Sequence, residues 1–554
     1  MKKSLLTIFG AVALMVGFAQ QTPSPSWTTT NNANFPIGSF GIRYMDACSA
    51  QDVYASGYHG VTGEIGRNYV WVTRTHDGGS NWTASPVWTS TATPAIGDTN
   101  YYVIANIDGI DANTAWVGAY TKTGGGSLGG IFKTTDGGAT WNDMTSASMY
   151  TNAASFCNYV FFLTPNIGIT AGDPVGGEFE MWRTTDGGAN WTAVPGANIP
   201  NPVGGEFGIV NVYETEGTSN IWLGTNKGRI LRSTDAGQTW SVSTVIANNT
   251  VSDIAFYDSM HGIVATYPPS STVVAVYNTT DGGATWNALP AVTADPNYGR
   301  NDFCAIPGTC WYASCGAGQG NTLLSFSMDN GATWNDWGSV GIQYLAIDMF
   351  DHQTGWAGSF SDMSNPASEG FFKYSGASLQ QAPSANMTIP SVGCVSVGIT
   401  FTNQSTGNPC PTFAWSSNPA ANFSSASAET PTVSFDSPGI YTITLQATNS
   451  LTSSIVTRTI DVQACTGINE IDNSVFNFIV SPNPSADIFN LTMPYSNEAY
   501  NITVTNVLGS VVYKESVNAA NGRHSINMTE NEAGVYFITI ENKGNRTTKK
   551  VVLQ

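Results

Sequence analysis

Six copies of one short turn, Asp-x-Gly-x-x-Trp, run through the first two-thirds of the chain and leave little freedom in what it can fold into. They read THDGGSNW (75–82), TTDGGATW (134–141), TTDGGANW (184–191), STDAGQTW (233–240), TTDGGATW (279–286) and SMDNGATW (327–334). From Trp to Trp the period is 46 to 59 residues, which marks equivalent β units that bury their apolar faces only by stacking on one another. Asp-Gly and Asn-Gly supply the φ > 0 residues of a tight hairpin. The carboxylates of Asp77, Asp136, Asp186, Asp235, Asp281 and Asp329 are expected to accept backbone N–H groups of their own turns. Trp82, Trp141, Trp191, Trp240, Trp286 and Trp334 follow each turn, where a large aromatic fills the gap between adjacent units. These residues are read as structural, and the fold as a β-propeller.

The blade count comes from a second repeat, a strand of small and aromatic residues ahead of each turn: DVYASGY (52–58), TAWVGAY (114–120), IGITAGD (167–173), NIWLGTN (220–226), HGIVATY (261–267), TCWYASC (309–315) and TGWAGSF (354–360). There are seven, which favours seven blades over six or eight. The last is followed by GFFKYSG (370–376) with no Asp turn, while PSWTT at 25–29 resembles the tail of one, as in ANWTA at 189–193. This N-terminal segment is expected to pair with the last blade and close the ring, removing exposed sheet edges. The repeat resembles the Asp-box, or BNR, repeat of sialidases, sortilin-type receptors, xyloglucanase-type glycoside hydrolases and photosystem II assembly-factor propellers. In those families the box sits away from the active face.

A chain of 554 residues with 58 Gly and 26 Pro is too long for one core and rich in turns, as a multi-domain β protein should be. It starts Met1-Lys2-Lys3, runs apolar from Leu5 to Phe18 and reaches Ala19, the pattern of a signal peptide spanning 1–19. No later stretch is long and apolar enough for a membrane span. The net charge of −19 argues against a nucleic-acid partner, which needs clustered Lys and Arg. In an exported protein the eight cysteines point to disulfides. Cys304, Cys310 and Cys315 flank a Pro307-Gly308 turn, and two of them are expected to bridge one hairpin. A zinc site is disfavoured because no His accompanies them and the spacing is not CxxC.

The propeller is expected over 22–378. Leu379 to Asn386 reads as a linker. Over 383–465, alternating apolar residues between turn signals indicate an immunoglobulin-like β-sandwich. Its closing pattern, Gly439-Ile-Tyr-Thr-Ile-Thr-Leu-Gln-Ala-Thr-Asn449, resembles a PKD domain, although Ser416-Ser417-Asn418-Pro419 stands where that family has an acidic-Gly turn; a spacer role is implied. Over 474–554 the order Pro482-Asn483-Pro484, Leu508-Gly509, Gly534-Val-Tyr-Phe-Ile-Thr-Ile540 and Lys549-Lys550-Val551-Val552 resembles the type A sorting domain of the type IX secretion system. The period-two strands predict a second small β-sandwich. The resemblance implies export by the type IX machinery, removal of this domain, and release from or attachment to the outer cell surface. The fold class is therefore all-β, a seven-bladed propeller followed by two small immunoglobulin-like sandwiches.

Ligands are expected at the propeller mouth, opposite the Asp boxes. That face is assigned Glu64, Arg67, Glu180, Tyr298, Arg300 and Asp362 as ligand-binding residues, with Asp173, Glu178 and Asp302 as candidate catalytic carboxylates. Two such groups across a sugar would serve as acid and base. Against catalysis, the Arg-Ile-Pro motif of sialidases is absent, several Arg lie on strands beside the boxes, and no nucleophile elbow, HExxH or P-loop occurs. The sequence reads as an exported binding or adhesion protein for a polysaccharide, a glycoprotein or another protein ligand, with no cofactor and no metal. A secreted sialidase-like or xyloglucanase-like hydrolase is the alternative.

Overall fold

The computed structural model describes residues 27–30, 33–35, 40–59, 70–87, 102–121, 129–270, 274–289, 301–317, 322–338, 341–360, 370–464, 478–494, 498–518, 522–542 and 545–554. Among these, seven four-stranded sheets follow one another along the chain. Blades 1 to 6 begin at Phe40–Ala47, Tyr102–Gly109, Cys157–Phe162, Gly208–Glu216, Thr250–Phe256 and Asp302–Ala305, and each adds its next three strands in chain order. Blade 7 takes Tyr344–Met349, Thr354–Ser359 and Phe371–Ser375 from one end of the repeat and Trp27–Thr30 from the other. Every first strand packs on the first strands of both neighbouring blades, so the seven form a closed inner ring.

Closure follows the sequence expectation. Trp27–Thr30 pairs antiparallel with Phe371–Ser375, Trp27 opposite Tyr374 and Thr30 opposite Phe371. The Trp27 ring meets Trp337 edge-on at 5.3 Å and Tyr374 at 5.5 Å. It occupies in blade 7 the place that box tryptophans hold elsewhere. Those tryptophans join apolar clusters shared with the preceding blade: Trp82 stacks on Phe371 at 3.7 Å, and Trp191 lies edge-on to Trp116 at 6.1 Å.

The boxes are self-capped. In blade 2, Thr134 Oγ1 donates to Asp136 Oδ1 at 2.8 Å, while the Thr140 N–H and hydroxyl donate to the two carboxylate oxygens at 2.8 and 2.6 Å. Corresponding bonds form at Asp77, Asp186, Asp235, Asp281 and Asp329. Donors to the ionised form favour it, so the Thr140 bonds hold Asp136 down to about 2, and the Asn190 bonds do the same for Asp186. Gly188 in the third box has φ +83°, and a Cβ there would lie 2.2 Å from the Trp116 ring of the preceding blade. Glycine is needed at that position for its backbone and for its size. Basic residues on third strands reach forward to the next box: Lys133 Nζ donates to Gly187 O at 2.9 Å, Arg183 Nε to Ala236 O at 2.7 Å and Lys373 Nζ to Gly78 O at 2.7 Å.

A second set of contacts stitches the inner ring. At each blade boundary a carboxyl group of one blade accepts a backbone N–H of the next. The Asp348 carboxylate takes Ala47 N at 2.7 Å, Asp46 takes Gly109 N at 2.5 Å, and Asp108 takes Phe162 N at 3.1 Å. Asp173 accepts from Gly208 and Glu214 from Phe256. Asp253 then takes Phe303 N at 2.6 Å and Asp302 takes Ile347 N at 2.8 Å, which completes the circuit. Enclosure disfavours the charged form. Burial pushes Asp46, with help from the Asp348 charge, up to about 7. Burial alone is the main cause for Asp253 at about 7, Asp348 at about 6 and Glu214 at about 8.

In the immunoglobulin-like unit, a four-stranded and a three-stranded sheet enclose one core that includes Phe401, Trp415, Val433, Tyr441, Leu445 and Ile460. Two expectations change here. The segment read as a linker contains a strand, Gln381–Ser384, paired with Thr406–Asn408, and Leu379 is buried against the propeller cluster. The hairpin disulfide does not form, because none of its three cysteines stands opposite another: Cys304 faces Ala313, and Cys315 faces Asp302. Cys304 and Cys315 are free thiols. Cys310 instead bonds to Cys410, 100 residues away. Beside it the wholly buried Asn408 accepts from Cys310 N at 3.1 Å and donates to Leu379 O at 2.6 Å.

The C-terminal unit has a three-stranded sheet and a four-stranded sheet around Phe478, Phe489, Leu491, Ile502, Ile538 and Val551. Its Pro-Asn-Pro segment clasps the last strand, Asn545–Leu553. The Val552 N–H donates to Asn483 Oδ1 at 2.9 Å, and Ser485 N to Val552 O at 3.0 Å. No helix of the described residues is long and apolar enough to cross a membrane.

Two predictions follow from the ring. Replacing Trp27 by Ala should destabilise the propeller by about 2 kcal/mol, as expected for truncating a partly buried aromatic, and deleting residues 22–32 should lower its melting temperature further. Calorimetry showing an unchanged transition for the deletion would contradict closure by this strand. The second concerns pH. Groups with raised folded pKa values, such as Asp46 and Glu214, make the fold bind more protons than the unfolded chain, so stability falls as pH rises from about 4 to about 8. Groups held low, such as Asp136, contribute stability above the ordinary carboxylate pKa that is lost as pH falls from about 4 to about 2. Melting temperature should therefore peak near pH 4, and a flat profile between pH 5 and 8 would contradict the burial of the ring carboxyls.

Candidate functional site

Each first strand starts at the end of the ring opposite the Asp boxes, because the box joins the third and fourth strands at the far end of an antiparallel blade. At that mouth lies a cavity of about 460 Å³ lined by Arg43, Tyr44, Val210, Asn211, Val212, Ser252, Asp253, Asn301, Asp302 and Leu345. Five of the seven blades contribute, each through its first strand or the residue just before it.

Local irregularity brings these side chains in. In blade 4 the pairing steps from Gly208 opposite Thr225 to Tyr213 opposite Leu223, so extra residues bulge inward and carry Val210 to Val212 to the cavity wall. Asn211 within the bulge has φ +61°, a left-handed conformation that Asn tolerates better than most residues. Such bulges commonly re-aim side chains at functional sites. On the opposite wall the Arg43 guanidinium lies 4.8 Å from the centre of the Tyr44 ring, and the Asn301 amide donates to Leu345 O.

The most unusual pair is Asp253 and Asp302, whose carboxyl groups are hydrogen-bonded to each other while each also clamps the following blade. Two buried carboxyl groups in that relation disfavour ionising together. Burial, reinforced by the Asp253 charge, pushes Asp302 well above the ordinary carboxylate range.

Of the residues singled out from sequence, Asp302 lies in the cavity wall. Asp173, Glu178 and Glu180 all belong to blade 3. Asp173 accepts from Asn158 Nδ2 at 2.8 Å and from Gly208 N–H of blade 4, and burial raises its pKa. Glu180 Oε1 accepts the Tyr150 N–H at 3.0 Å, which fixes a residue at φ +52°. Glu178 packs against Gly196. Glu64, Arg67, Tyr298, Arg300 and Asp362 lie outside the described residues. Arg43, Asn211, Ser252, Asp253 and Asn301 were not singled out. Asp253 carried a usable signal, since VSDI and RNDF place an acid at comparable points of successive blades.

Beside the mouth, residues 201–207 form a rim segment ahead of the blade 4 bulge. Its Glu206 is 5% exposed, and the carboxylate pairs with Arg229 and accepts Val203 N at 2.8 Å, so the segment is rigidly braced. It presents Val203 and Phe207 to solvent, 46% and 44% exposed. Among the described residues, no three His, Cys, Asp or Glu side chains gather as a metal would require.

Among solved structures, the chain is similar to YCF48 from Cyanidioschyzon merolae (17% identity, 63% of this chain and 99% of that one, TM-score 0.43). It is also similar to a GH74 xyloglucanase from Xanthomonas campestris (12%, 94% and 87%, TM-score 0.40) and to a Hadza microbial sialidase (13%, 63% and 68%, TM-score 0.38). Comparison with curated proteins by sequence gives no match. Residues 480–554 match the secretion system C-terminal sorting domain, so this is a β-propeller protein carrying a type IX sorting domain, which indicates secretion or attachment at the outer surface.

Proposed function

We propose that the propeller is the binding head of this exported protein and that its mouth takes a polysaccharide or glycoprotein without cleaving it. The observation that carries this reading is the cavity of about 460 Å³, lined by amide, hydroxyl, carboxyl and guanidinium groups around Tyr44. Sugars present hydroxyl edges that such groups bond and apolar faces that aromatic rings cover. Hydrolysis is disfavoured by the acid pair itself. Glycosidase carboxyls stand roughly 5 to 9.5 Å apart, across the scissile bond, whereas Asp253 and Asp302 bond to one another and are committed to neighbouring blades. A protein ligand is the second reading, favoured by the braced, exposed Val203 and Phe207 at the rim. In this account the immunoglobulin-like module is a PKD-like spacer, fixed to the propeller through Cys310–Cys410.

The test is a glycan array probed with the purified chain, followed by product analysis on every glycan that binds. Binding without products is expected, with at least a roughly tenfold loss of affinity in Asn211→Ala. Products whose formation disappears in Asp302→Asn, which keeps an acceptor for Ile347, would establish a hydrolase and overturn the reading. An empty array together with binding of an envelope protein that is lost in Phe207→Ser would favour the protein ligand.

A further inference from the structure

The sorting unit carries an exposed apolar tip that its own fold does not use. Between the strands Tyr500–Asn506 and Val511–Val517 the chain turns through Val507, Leu508 and Gly509. Leu508 is 87% exposed, Val507 67% and Val511 56%. Single exposed aliphatic residues are ordinary, but three within five positions on one tip form a patch that calls for a partner.

The tip is also held still. Asn506 Oδ1 accepts the N–H groups of Leu508 and Ser510, each at 3.0 Å. The Asn506 N–H donates to Ser510 O and the Gly509 N–H to Asn506 O, both at 3.0 Å, and Gly509 supplies the φ of +80° that the turn needs. A preformed tip loses little conformational freedom on docking. The strand that follows lies at the edge of its sheet, so nothing within the sheet flanks the tip on that side.

We propose that the Val507-Leu508-Val511 tip is the knob by which the sorting unit engages an apolar groove in a protein component of the secretion machinery. Three observations select this occupant. The tip lies on the domain that matches a secretion sorting domain, whose task requires recognition by that machinery. Three aliphatic side chains expose far less than the ~1,200 Å² that a stable pair of copies buries. The residues bracketing the tip, Asn506 and Ser510, are uncharged, whereas a membrane-surface anchor pairs its apolar residues with Lys or Arg.

The test is export of the full chain in cells with the type IX system, comparing wild type with Leu508→Ser and with Ile479→Ser, a 63% exposed residue elsewhere on the same unit. Melting of each purified chain reports folding. Leu508→Ser should lower the extracellular fraction roughly tenfold, the loss expected on truncating a binding anchor, with unchanged melting and with Ile479→Ser exported normally. Normal export of Leu508→Ser would overturn the proposal, and so would equal loss in Ile479→Ser. Self-association, or co-flotation with anionic lipid vesicles, that disappears in Leu508→Ser would assign the tip to a second copy or to a membrane and would equally overturn it. Should Leu508→Ser lower the melting temperature, Leu508→Lys and Val507→Ser, judged by the same criteria, decide instead.

Discussion

The ring depends on a carboxyl group reaching across each blade boundary to a backbone N–H of the next blade. A first strand in a propeller has one partner strand in its own sheet, so its other side meets neighbouring blades at an angle that leaves some N–H groups without a ladder. Leaving such a group buried and unpaired costs about 1 to 3 kcal/mol. The carboxyls of Asp46, Asp108, Asp173, Glu214, Asp253, Asp302 and Asp348 meet that need in turn. The consequence is an acidic inner ring whose members raise one another's pKa values. The mouth inherits its chemistry from this arrangement, because two of the clamps, Asp253 and Asp302, are also its wall.

Much of this was legible in the sequence, and the division follows range. An Asp box closes within eight residues: Asp136 is capped by Thr134 and Thr140, and residue types at fixed offsets state that geometry outright. Ring closure was legible too, because residues 25–29 copy a box tail that blade 7 lacks. The clamps were not. Asp302 and Asp173 stood out as carboxylates near the mouth, yet the groups that define them, Ile347 and Gly208, lie 45 and 35 residues further on. No local pattern names a partner at that distance. The recurrence of an acid in YMDA, NIDG, VSDI, RNDF and AIDM was the available clue.

The same limit explains the cysteines. Proximity along the chain suggested a bridge within the Cys304 to Cys315 hairpin, but antiparallel register decides which side chains face each other, and here it separates all three. Cys310 then meets Cys410 only because Leu379 and Gln381–Ser384 continue directly from the propeller into the next module's sheet. A segment with linker composition becomes a strand when a partner edge is available beside it. The cavity depended on the least predictable feature, the inward bulge of blade 4, where the departure from regular pairing is also what supplies Asn211 to the mouth.

The claim that carboxyl clamps hold the blades together is tested most directly by amide hydrogen exchange at Gly109 in the wild type and in Asp46→Ala. Loss of the acceptor should speed exchange of the Gly109 N–H by roughly tenfold or more, the equivalent of about 1.4 kcal/mol of lost protection, while Asp46→Asn, which keeps an oxygen acceptor, should leave it protected. Unchanged protection of Gly109 in Asp46→Ala would show that packing alone holds this boundary and would contradict the account.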